Sequence, residues 1–348
     1  MKIKPIFILL LITLIAVGCS EQKPNITIIE AINAGNEKVV KYYLKHGEMV
    51  NQKDENGTPL IVLAAEKGSA PVIKMLIKAG ADVNSKDKNE DTALITASGK
   101  GYTEILNILI KAGANVNNAK SFGDTALTEA SVKGNIEIVN ILIKAGADIN
   151  SSGGTRALVF AARKGNLQII KTLIKAGVNV NNQGPLGHTA LMEASENGHS
   201  EIVDILIKAG TNVNVETYGA RRTALMLACE NGYTEIINML IEAGADVNTR
   251  RKGGFTPLME TMYSKVVDIL IKAGADINAR DDSGGTALMW ASYGGDPDSV
   301  DMLIKAGANI NAKDKDGEKA LHYAYEGLKN IPHQKEQYEK IIKMLSKK

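Results

Sequence analysis

The sequence is poor in cysteine, in aromatic residues and in net charge. Its 348 residues include two cysteines, one tryptophan and 4% aromatic side chains, with 41 basic against 39 acidic groups. Two cysteines allow at most one disulfide, so a chain of this length must be stabilised mainly by a buried core. A balanced charge lacks the basic surplus that nucleic-acid binding requires. The composition therefore argues against a nucleic-acid partner.

A long hydrophobic run is also missing. The amino-terminal run at residues 6–17 is apolar except for Thr13, and it is shorter than the roughly 20 residues of a membrane-spanning helix. Lys2 and Lys4 precede this run and small residues end it, which is typical of a cleaved signal peptide. The run leads into Gly18 and Cys19, so that residues 15–19 read IAVGC. This ending resembles the lipobox of bacterial lipoproteins.

That resemblance implies that residues 1–18 are removed as a signal peptide and that Cys19 is lipidated, with residues 19–24 as a short tether. One acyl chain binds a membrane only marginally, whereas two or three hold firmly. Ser20 fits the enterobacterial pattern for sorting to the outer membrane, so the expected location is the bacterial cell envelope. The alternative is an ordinary secretory signal with an incidental cysteine. If Cys19 is lipidated, Cys229 has no intramolecular disulfide partner.

Beyond residue 24 the sequence repeats one phrase. The string LIKAG occurs seven times, LIEAG and YLKHG are variants of it, and an asparagine stands four residues after the glycine. Successive asparagines are 33, 33, 33, 31, 33, 34, 30 and 33 residues apart. Internal periods of this size predict stacked repeats. The asparagines are Asn51, Asn84, Asn117, Asn150, Asn181, Asn214, Asn248, Asn278 and Asn311.

One repeat, at residues 123–150, shows how the unit is built. Thr125 is placed to cap a first helix at residues 126–133, and Gly134 can end that helix in the left-handed conformation. A second helix at residues 136–144 is apolar around most of its circumference and must be covered on several sides. Asn150 follows, and we expect its side chain to bond nearby backbone groups in a turn. Such short helices are unstable alone and bury their faces by stacking.

The order Thr-Pro/Ala-Leu, Ala, Gly, Ile-Val and Leu-Ile-x-x-Gly-Ala-Asp-x-Asn closely resembles ankyrin repeats. This resemblance implies an all-α repeat solenoid, in which helix-turn-helix units stack and hairpin loops project from them. We count about ten units in residues 25–348, including a divergent first unit at residues 26–51 and a divergent last unit from residue 319. In the ankyrin family, partners usually dock on the hairpin tips and the adjoining inner helix face.

No catalytic or metal-binding pattern stands out. His46, His199, His322 and His333 do not pair with another histidine or cysteine at metal-ligand spacing. The acidic stretches at residues 281–285 and 314–317 lack the glutamate that completes a calcium loop, so we interpret them as hairpin turns. Cys229 stands where other units carry alanine or serine, which indicates a small buried thiol. We therefore expect no metal, no cofactor and no enzymatic activity.

Two sets of variable positions are candidates for contact with a partner. The first is the position before the recurrent alanine of the first helix. Glutamate at this position in four units predicts that it meets water, and aromatic residues there are expected to be exposed or half-exposed. The alternative is that they cover a neighbouring unit. The glutamates are Glu30, Glu129, Glu193 and Glu260, and the aromatic residues are Phe160, Trp290 and Tyr323.

The hairpin tips are the second variable set. The tips of units three and four are acidic with one exposed aromatic candidate, Phe122, beside Asp87, Glu90, Asp91 and Asp124. The tips of units seven and eight form a basic and aromatic group, which we call the tip patch. Arginine and aromatic residues are enriched at protein interfaces, although a charged run is often only a solvated face. The tip patch comprises Tyr218, Arg221, Arg222, Arg250, Arg251, Lys252 and Phe255.

These patterns favour a membrane-anchored, non-enzymatic scaffold that binds another protein on the extracytoplasmic side. A second hypothesis is a protective or immunity-type protein, or a stabilising partner of a periplasmic or secreted enzyme. A remote third hypothesis is an enzyme whose site has no recognisable pattern.

The unit at residues 253–274 breaks the repeat. Eight residues separate Leu258 from Val266, against eleven between Leu191 and Ile202 in a regular unit. The missing residues fall at the end of the first helix, and Thr261 replaces the recurrent alanine. We predict a shortened first helix, a tighter turn, a local change in curvature and a binding recess. The alternative is a neutral deletion that the stack absorbs.

Overall fold

The computed structural model describes residues 23–346, and the predicted signal peptide and Cys19 lie outside the described residues. Ten pairs of helices follow one another in this part of the chain, and each pair makes one unit. The helices are α1 Ile28–Asn33, α2 Glu37–Lys45, α3 Leu60–Glu66, α4 Ala70–Lys78, α5 Ala93–Lys100, α6 Thr103–Lys111, α7 Ala126–Lys133, α8 Ile136–Lys144, α9 Ser152–Arg163, α10 Leu167–Lys175, α11 Ala190–Glu196, α12 Ser200–Lys208, α13 Ala224–Asn231, α14 Thr234–Glu242, α15 Pro257–Glu260, α16 Ser264–Lys272, α17 Ala287–Gly294, α18 Pro297–Lys305, α19 Ala320–Asn330 and α20 Lys335–Ser346.

The helices form two layers. Each first helix packs on the first helices of the neighbouring units, and each second helix packs on the neighbouring second helices. Between 23 and 346 no strand forms, and the hairpins contribute two isolated bridges, Lys53 with Pro59 and Ala119 with Thr125. No helix in this range is long and apolar enough to cross a membrane. The predicted all-helical repeat architecture is confirmed.

Unit four has the helix bounds that its sequence predicts. The Thr125 hydroxyl accepts a hydrogen bond from the Thr128 amide at 3.4 Å, and α7 ends at Gly134 with a φ of 76°. In α8, Ile138, Val139 and Leu142 are buried, as expected for a helix that is covered on several sides. The local signals of the sequence therefore place both helices of this unit.

The recurrent asparagine joins neighbouring units, and our expectation of a local turn bond was wrong. The Asn150 Oδ1 atom accepts the Asn179 amide of the next unit at 2.7 Å, and its Nδ2 donates to the Gly177 carbonyl at 3.3 Å. The local turn is closed instead by Asp148, whose Oδ1 accepts the Asn150 amide at 3.0 Å. The first of these bonds recurs from Asn51, Asn84, Asn117, Asn150, Asn181, Asn214, Asn248 and Asn278, and we call the series the asparagine ladder.

Unit five departs from the pattern because it has no hairpin. The chain passes from Asn150 almost directly into α9, which is four residues longer than α7. Gly153 and Gly154 lie in the first turn of α9, against the preceding unit. A Cβ atom at Gly154 would stand 2.1 Å from the Ile149 carbonyl oxygen, and one at Gly153 would stand 2.4 Å from Thr125 Cγ2. Only glycine fits at these two positions.

Unit eight has the shortened first helix that its sequence predicts. Its helix α15 spans only Pro257–Glu260, and the chain then runs extended through Thr261, with φ −85° and ψ 139°. The second helix α16 keeps its full nine residues and buries Val266, Val267 and Leu270. The deletion therefore removes the glycine turn and half of the first helix but leaves the second layer continuous.

The last unit closes the stack in the described region. Its helix α20 buries Tyr338, Ile341 and Leu345, which confirms the predicted terminal helix. The hydroxyl group of Tyr338 donates to the Tyr293 carbonyl at 2.7 Å, across from the neighbouring unit. The inserted residues before α20 form a short 3₁₀ turn at Pro332–Gln334.

Candidate partner-binding surface

The hairpin tips are held by short internal hydrogen bonds. In unit three the Asp87 carboxylate accepts the amides of Asn89 and Asp91 at 2.9 and 2.8 Å. The acidic stretches that we interpreted as turns are built the same way, since Asp281 accepts from Ser283 and Asp314 accepts from Asp316. Such bonds fix the tip geometry, so side chains at the tips are displayed on rigid loops.

Three large apolar side chains are strongly exposed at these tips. Phe122 of unit four, Leu186 of unit six and Tyr218 of unit seven are 83%, 77% and 63% exposed. Leu186 has a φ of 58°, a left-handed conformation that is costly for a bulky residue. The Tyr218 amide donates to the Leu186 carbonyl at 2.9 Å, so these two tips are neighbours. Phe122 and Tyr218 were predicted as contact residues, whereas sequence reasoning missed Leu186.

The arginines of the tip patch are already engaged with groups of the chain. Arg221 makes a two-pronged pair with Glu216 at 2.7 and 3.2 Å. Arg250 donates to the Arg280 carbonyl at 2.6 Å. The remaining two pair with carboxylates of the first helices, Arg222 with Glu230 and Arg251 with Glu260.

An open groove of about 730 Å³ runs between the tips of units seven and eight. Because the arginines are paired, this groove is lined by mixed charge rather than by free positive charge. Lys252 is exposed beside it, and its backbone amide donates to the Ala220 carbonyl of the preceding tip at 3.0 Å. Among the residues that line the groove are Glu216, Arg221, Asp246, Arg250, Arg251 and Asp282.

In several units, a side chain at the hairpin tip pairs with a side chain of the first helix that stands nine positions later in the sequence. Lys120 contacts Glu129 at 2.9 Å, and Arg251 pairs with Glu260. In units nine and ten the tip residue is an aspartate and the helix residue is an aromatic donor. The Trp290 indole N–H donates to Asp281 at 2.8 Å, and the Tyr323 hydroxyl donates to Asp314 at 2.8 Å, which raises the Tyr323 pKa because burial and this bond both favour the neutral phenol. In these four units the tip residue and the helix residue therefore bond to each other.

We predicted that the residue before the recurrent alanine of the first helix is exposed to water. For Glu193 this prediction is wrong. This side chain is fully buried, and its oxygens accept two hydrogen bonds from Arg163 of the preceding unit, at 2.7 and 2.8 Å. His188 Nδ1 lies 2.9 Å from Glu193 Oε1, off the line of a directed hydrogen bond. Burial alone would raise the Glu193 pKa, but the hydrogen bonds from Arg163 and the approach of His188 outweigh it and lower the pKa to about 2.

The Glu193 cluster is also where the described chain brings possible metal ligands together. Ligand atoms of His188, Glu193 and Glu196 lie within 4.8 Å of one another. Arg163 already occupies both oxygens of Glu193. A cation would have to displace that guanidinium, so we assign no metal to this group. Sequence reasoning missed the cluster because Arg163 and Glu193 are thirty residues apart.

Three aromatic residues of the last three units lie next to one another. The rings of Phe255 and Trp290 are 5.3 Å apart, and those of Trp290 and Tyr323 are 5.7 Å apart. All three are half-buried, within the range that the sequence predicts for Trp290 and Tyr323. Phe160 is half-buried too, because the guanidinium groups of Arg156 and Arg163 stand 5.1 and 5.2 Å from its ring centre.

The predicted contact residues thus fall into separate groups. The tip patch and Trp290 lie together in units seven to nine, and Arg251 stands 4.2 Å over the Phe255 ring. Phe122 and Phe160 belong to units four and five and do not join that group. Cys229 is buried as predicted, and burial, with the charge of Glu260 second, raises the pKa of its thiol. A thiol in this state is unreactive.

Comparisons with known proteins agree with the helical stack. The family model described as "Ankyrin repeats (3 copies)" matches residues 5–87, 61–153, 149–217, 216–281 and 258–347. A crystal structure of the human ASB11 ankyrin repeat domain superposes with a TM-score of 0.55 and 25% identity, over 62% of this chain and 98% of that one. No curated protein matches the chain. The chain belongs to the ankyrin-repeat family.

Proposed function

We propose that this protein is a non-enzymatic scaffold that binds another protein and is held to a bacterial envelope membrane through Cys19, on the extracytoplasmic side. Ankyrin repeats are typically protein-interaction modules, and this supports the first half of the proposal. The observation that carries it is the exposure of Phe122, Leu186 and Tyr218 on tips that hydrogen bonds and the asparagine ladder hold in place. Large apolar side chains displayed on rigid loops are typical of interaction surfaces.

Affinity capture from envelope extracts tests the binding half. The bait is the wild-type chain, and the test variant is the double substitution Phe122→Ser and Tyr218→Ser. Met49→Ser is the matched control, because Met49 is 74% exposed but lies in the first unit. We expect one protein to be retained by the wild type and by Met49→Ser and lost with the double variant. Equal retention by all three, or no retained protein, contradicts the proposal.

The anchor half follows from residues 15–19 and needs its own test. We expect Cys19→Ser to release the protein from the membrane fraction, with the far-ultraviolet circular dichroism spectrum unchanged. Mass spectrometry of the mature wild-type amino terminus is expected to show Cys19 with added acyl mass. A native amino terminus elsewhere without acyl mass contradicts the anchor and leaves the binding half standing.

A further inference from the structure

The missing turn of unit eight opens a recess between its first helix and that of unit nine. The recess holds about 190 Å³, which suits one side chain, since sites for drug-sized ligands run from roughly 300 to 1,000 Å³. Its walls are mainly apolar, with Met259, Met262, Trp290 and Ala291 among the lining residues. A regular unit has alanine where unit eight has Thr261. The last half of the first helix and then the glycine turn follow that alanine.

Two carboxylates and no basic side chain line this recess. The carboxylate of Asp296 caps α18, accepting the Asp298 amide at 3.1 Å and the Ser299 hydroxyl at 2.5 Å. Glu260 is the other, and one of its oxygens, Oε1, pairs with Arg251 on the tip side. The second oxygen, Oε2, is buried and has no hydrogen-bond partner. The Glu260 side chain as a whole is only 10% exposed. A buried carboxylate oxygen without a partner is costly, and a donor that reaches the Glu260 carboxylate removes this cost.

We propose that this recess binds a cationic side chain, lysine or arginine, of the protein partner. The charged head pairs with the Glu260 carboxylate, and the aliphatic stem lies along the methionines and Trp290. Long basic side chains bury their stems on apolar surface in this way, and methionine adapts to irregular shapes. The Trp290 N–H is held by Asp281, which fixes the ring in the wall of the recess, and a tryptophan ring in that wall adds a cation–π contact. This inference rests on the proposed function and names the chemistry of the contact.

The only tryptophan of the chain lines the recess, so its fluorescence reports occupancy directly. The probes are Nα-acetyl-lysine methylamide, which keeps its charged side chain, its arginine counterpart, and the neutral Nα-acetyl-norleucine methylamide. We expect a saturable change with at least one cationic probe and binding weaker by about tenfold or more for the neutral one, since a charge-assisted hydrogen bond is lost. A neutral probe that binds equally well, or three probes that do not bind, overturns the inference.

Glu260→Gln is the test variant and Glu129→Gln is its matched control. Glu129 holds the same position in unit four and also pairs with a tip base, but a full-length helix follows it. We expect the cationic probe to bind Glu260→Gln about tenfold more weakly or worse and Glu129→Gln to keep wild-type fluorescence and binding. Undiminished binding by Glu260→Gln contradicts the role of its carboxylate.

A second variant guards against a folding defect in the first. Inserting Glu-Asn-Gly after Met262 places a glycine directly before Tyr263 and restores the regular turn, and we expect it to fill the recess and abolish probe binding while the helix content rises slightly. Retained binding would overturn the assignment of the recess. These probes are single amino acids, so their result is independent of whether a protein is captured from envelope extracts.

Discussion

Units four and eight are alike in one layer and different in the other. Both have a nine-residue second helix that buries three apolar residues. In both, the asparagine that follows this helix, Asn150 or Asn278, accepts a backbone amide of the next unit and donates to a glycine carbonyl there. The first helix spans eight residues in unit four and four in unit eight. The difference teaches that the second layer and the asparagine ladder continue through a deletion in the first layer. The first helices and tips are therefore where this chain varies.

The largest expected effect tests whether the second helices of units four and eight contribute equally to stability. Leu142 in unit four and Leu270 in unit eight are both fully buried. Replacing either with alanine removes buried methyl groups and leaves a cavity, so we expect each variant to lose about 2–5 kcal/mol of unfolding free energy. Urea denaturation followed by circular dichroism measures this. A loss below about 1 kcal/mol for Leu270→Ala alone means that the deletion has loosened the second layer as well.

The next effect sharpens the comparison among the glutamates of the first helices. The folded-state pKa of Glu193 is about 2, below the usual value of 4.5, so its ionised form stabilises the fold above pH 4.5. That contribution, roughly 3 kcal/mol, is lost as the pH falls from 4.5 to 2. Glu193→Gln should therefore show a shallower fall in unfolding free energy over this range than the wild type.

Glu129→Gln is the control for that pH series. Glu129 occupies the same position in unit four and pairs with Lys120, but a quarter of its side chain is exposed. We expect its acid profile to follow that of the wild type. If Glu193→Gln and Glu129→Gln give the same profile, the buried pair with Arg163 does not have the assigned strength.

The asparagine ladder should weaken equally at the bonds that units three and seven make to units four and eight. Asn117 and Asn248 each accept one backbone amide and donate to one glycine carbonyl of the next unit. Replacing either with alanine removes both bonds, and we expect a loss of about 1–2 kcal/mol in each case. Urea titrations of the two variants check this. A loss for Asn117→Ala without one for Asn248→Ala would contradict a continuous ladder.

The smallest effect separates the two turns. Gly134 ends α7 in the left-handed conformation, so Gly134→Ala should cost about 1–2 kcal/mol. Thr261 ends α15 in an extended conformation that any residue adopts, so Thr261→Gly should gain nothing and cost at most about 1 kcal/mol. Thermal melts of the two variants measure the difference. Stabilisation by Thr261→Gly would mean that a glycine turn is still accessible in unit eight.

Most of the fold could be predicted from the sequence because its signals are local. Thr125, Gly134 and the apolar pattern of residues 136–144 act within one unit, and both helix bounds of unit four followed from them. The partner of Asn150 could not be predicted, because it lies 29 residues away in the next unit. A repeat shows which residues recur but not which neighbour each one contacts.

The candidate site was predicted only in part for the same reason. Arginines at the tips indicate an interface when they are free, and the sequence does not show that Glu216 and Glu260 pair with them. One signal was present in the sequence and went unused. In units four and eight a basic tip residue stands nine positions before a glutamate of the first helix, Lys120 before Glu129 and Arg251 before Glu260. Comparing these two positions across units would have revealed the pairs.

Native-state hydrogen exchange tests the central claim most directly, namely that unit eight has changed its first layer and kept its second. We predict that backbone amides in α16 are protected as strongly as those in α8, because both helices are buried in a continuous layer. Amides at residues 261–263 should exchange far faster than those at residues 131–134, where α7 continues to its glycine turn. If α16 exchanges as fast as residues 261–263, unit eight is locally unfolded and the recess is not a defined site.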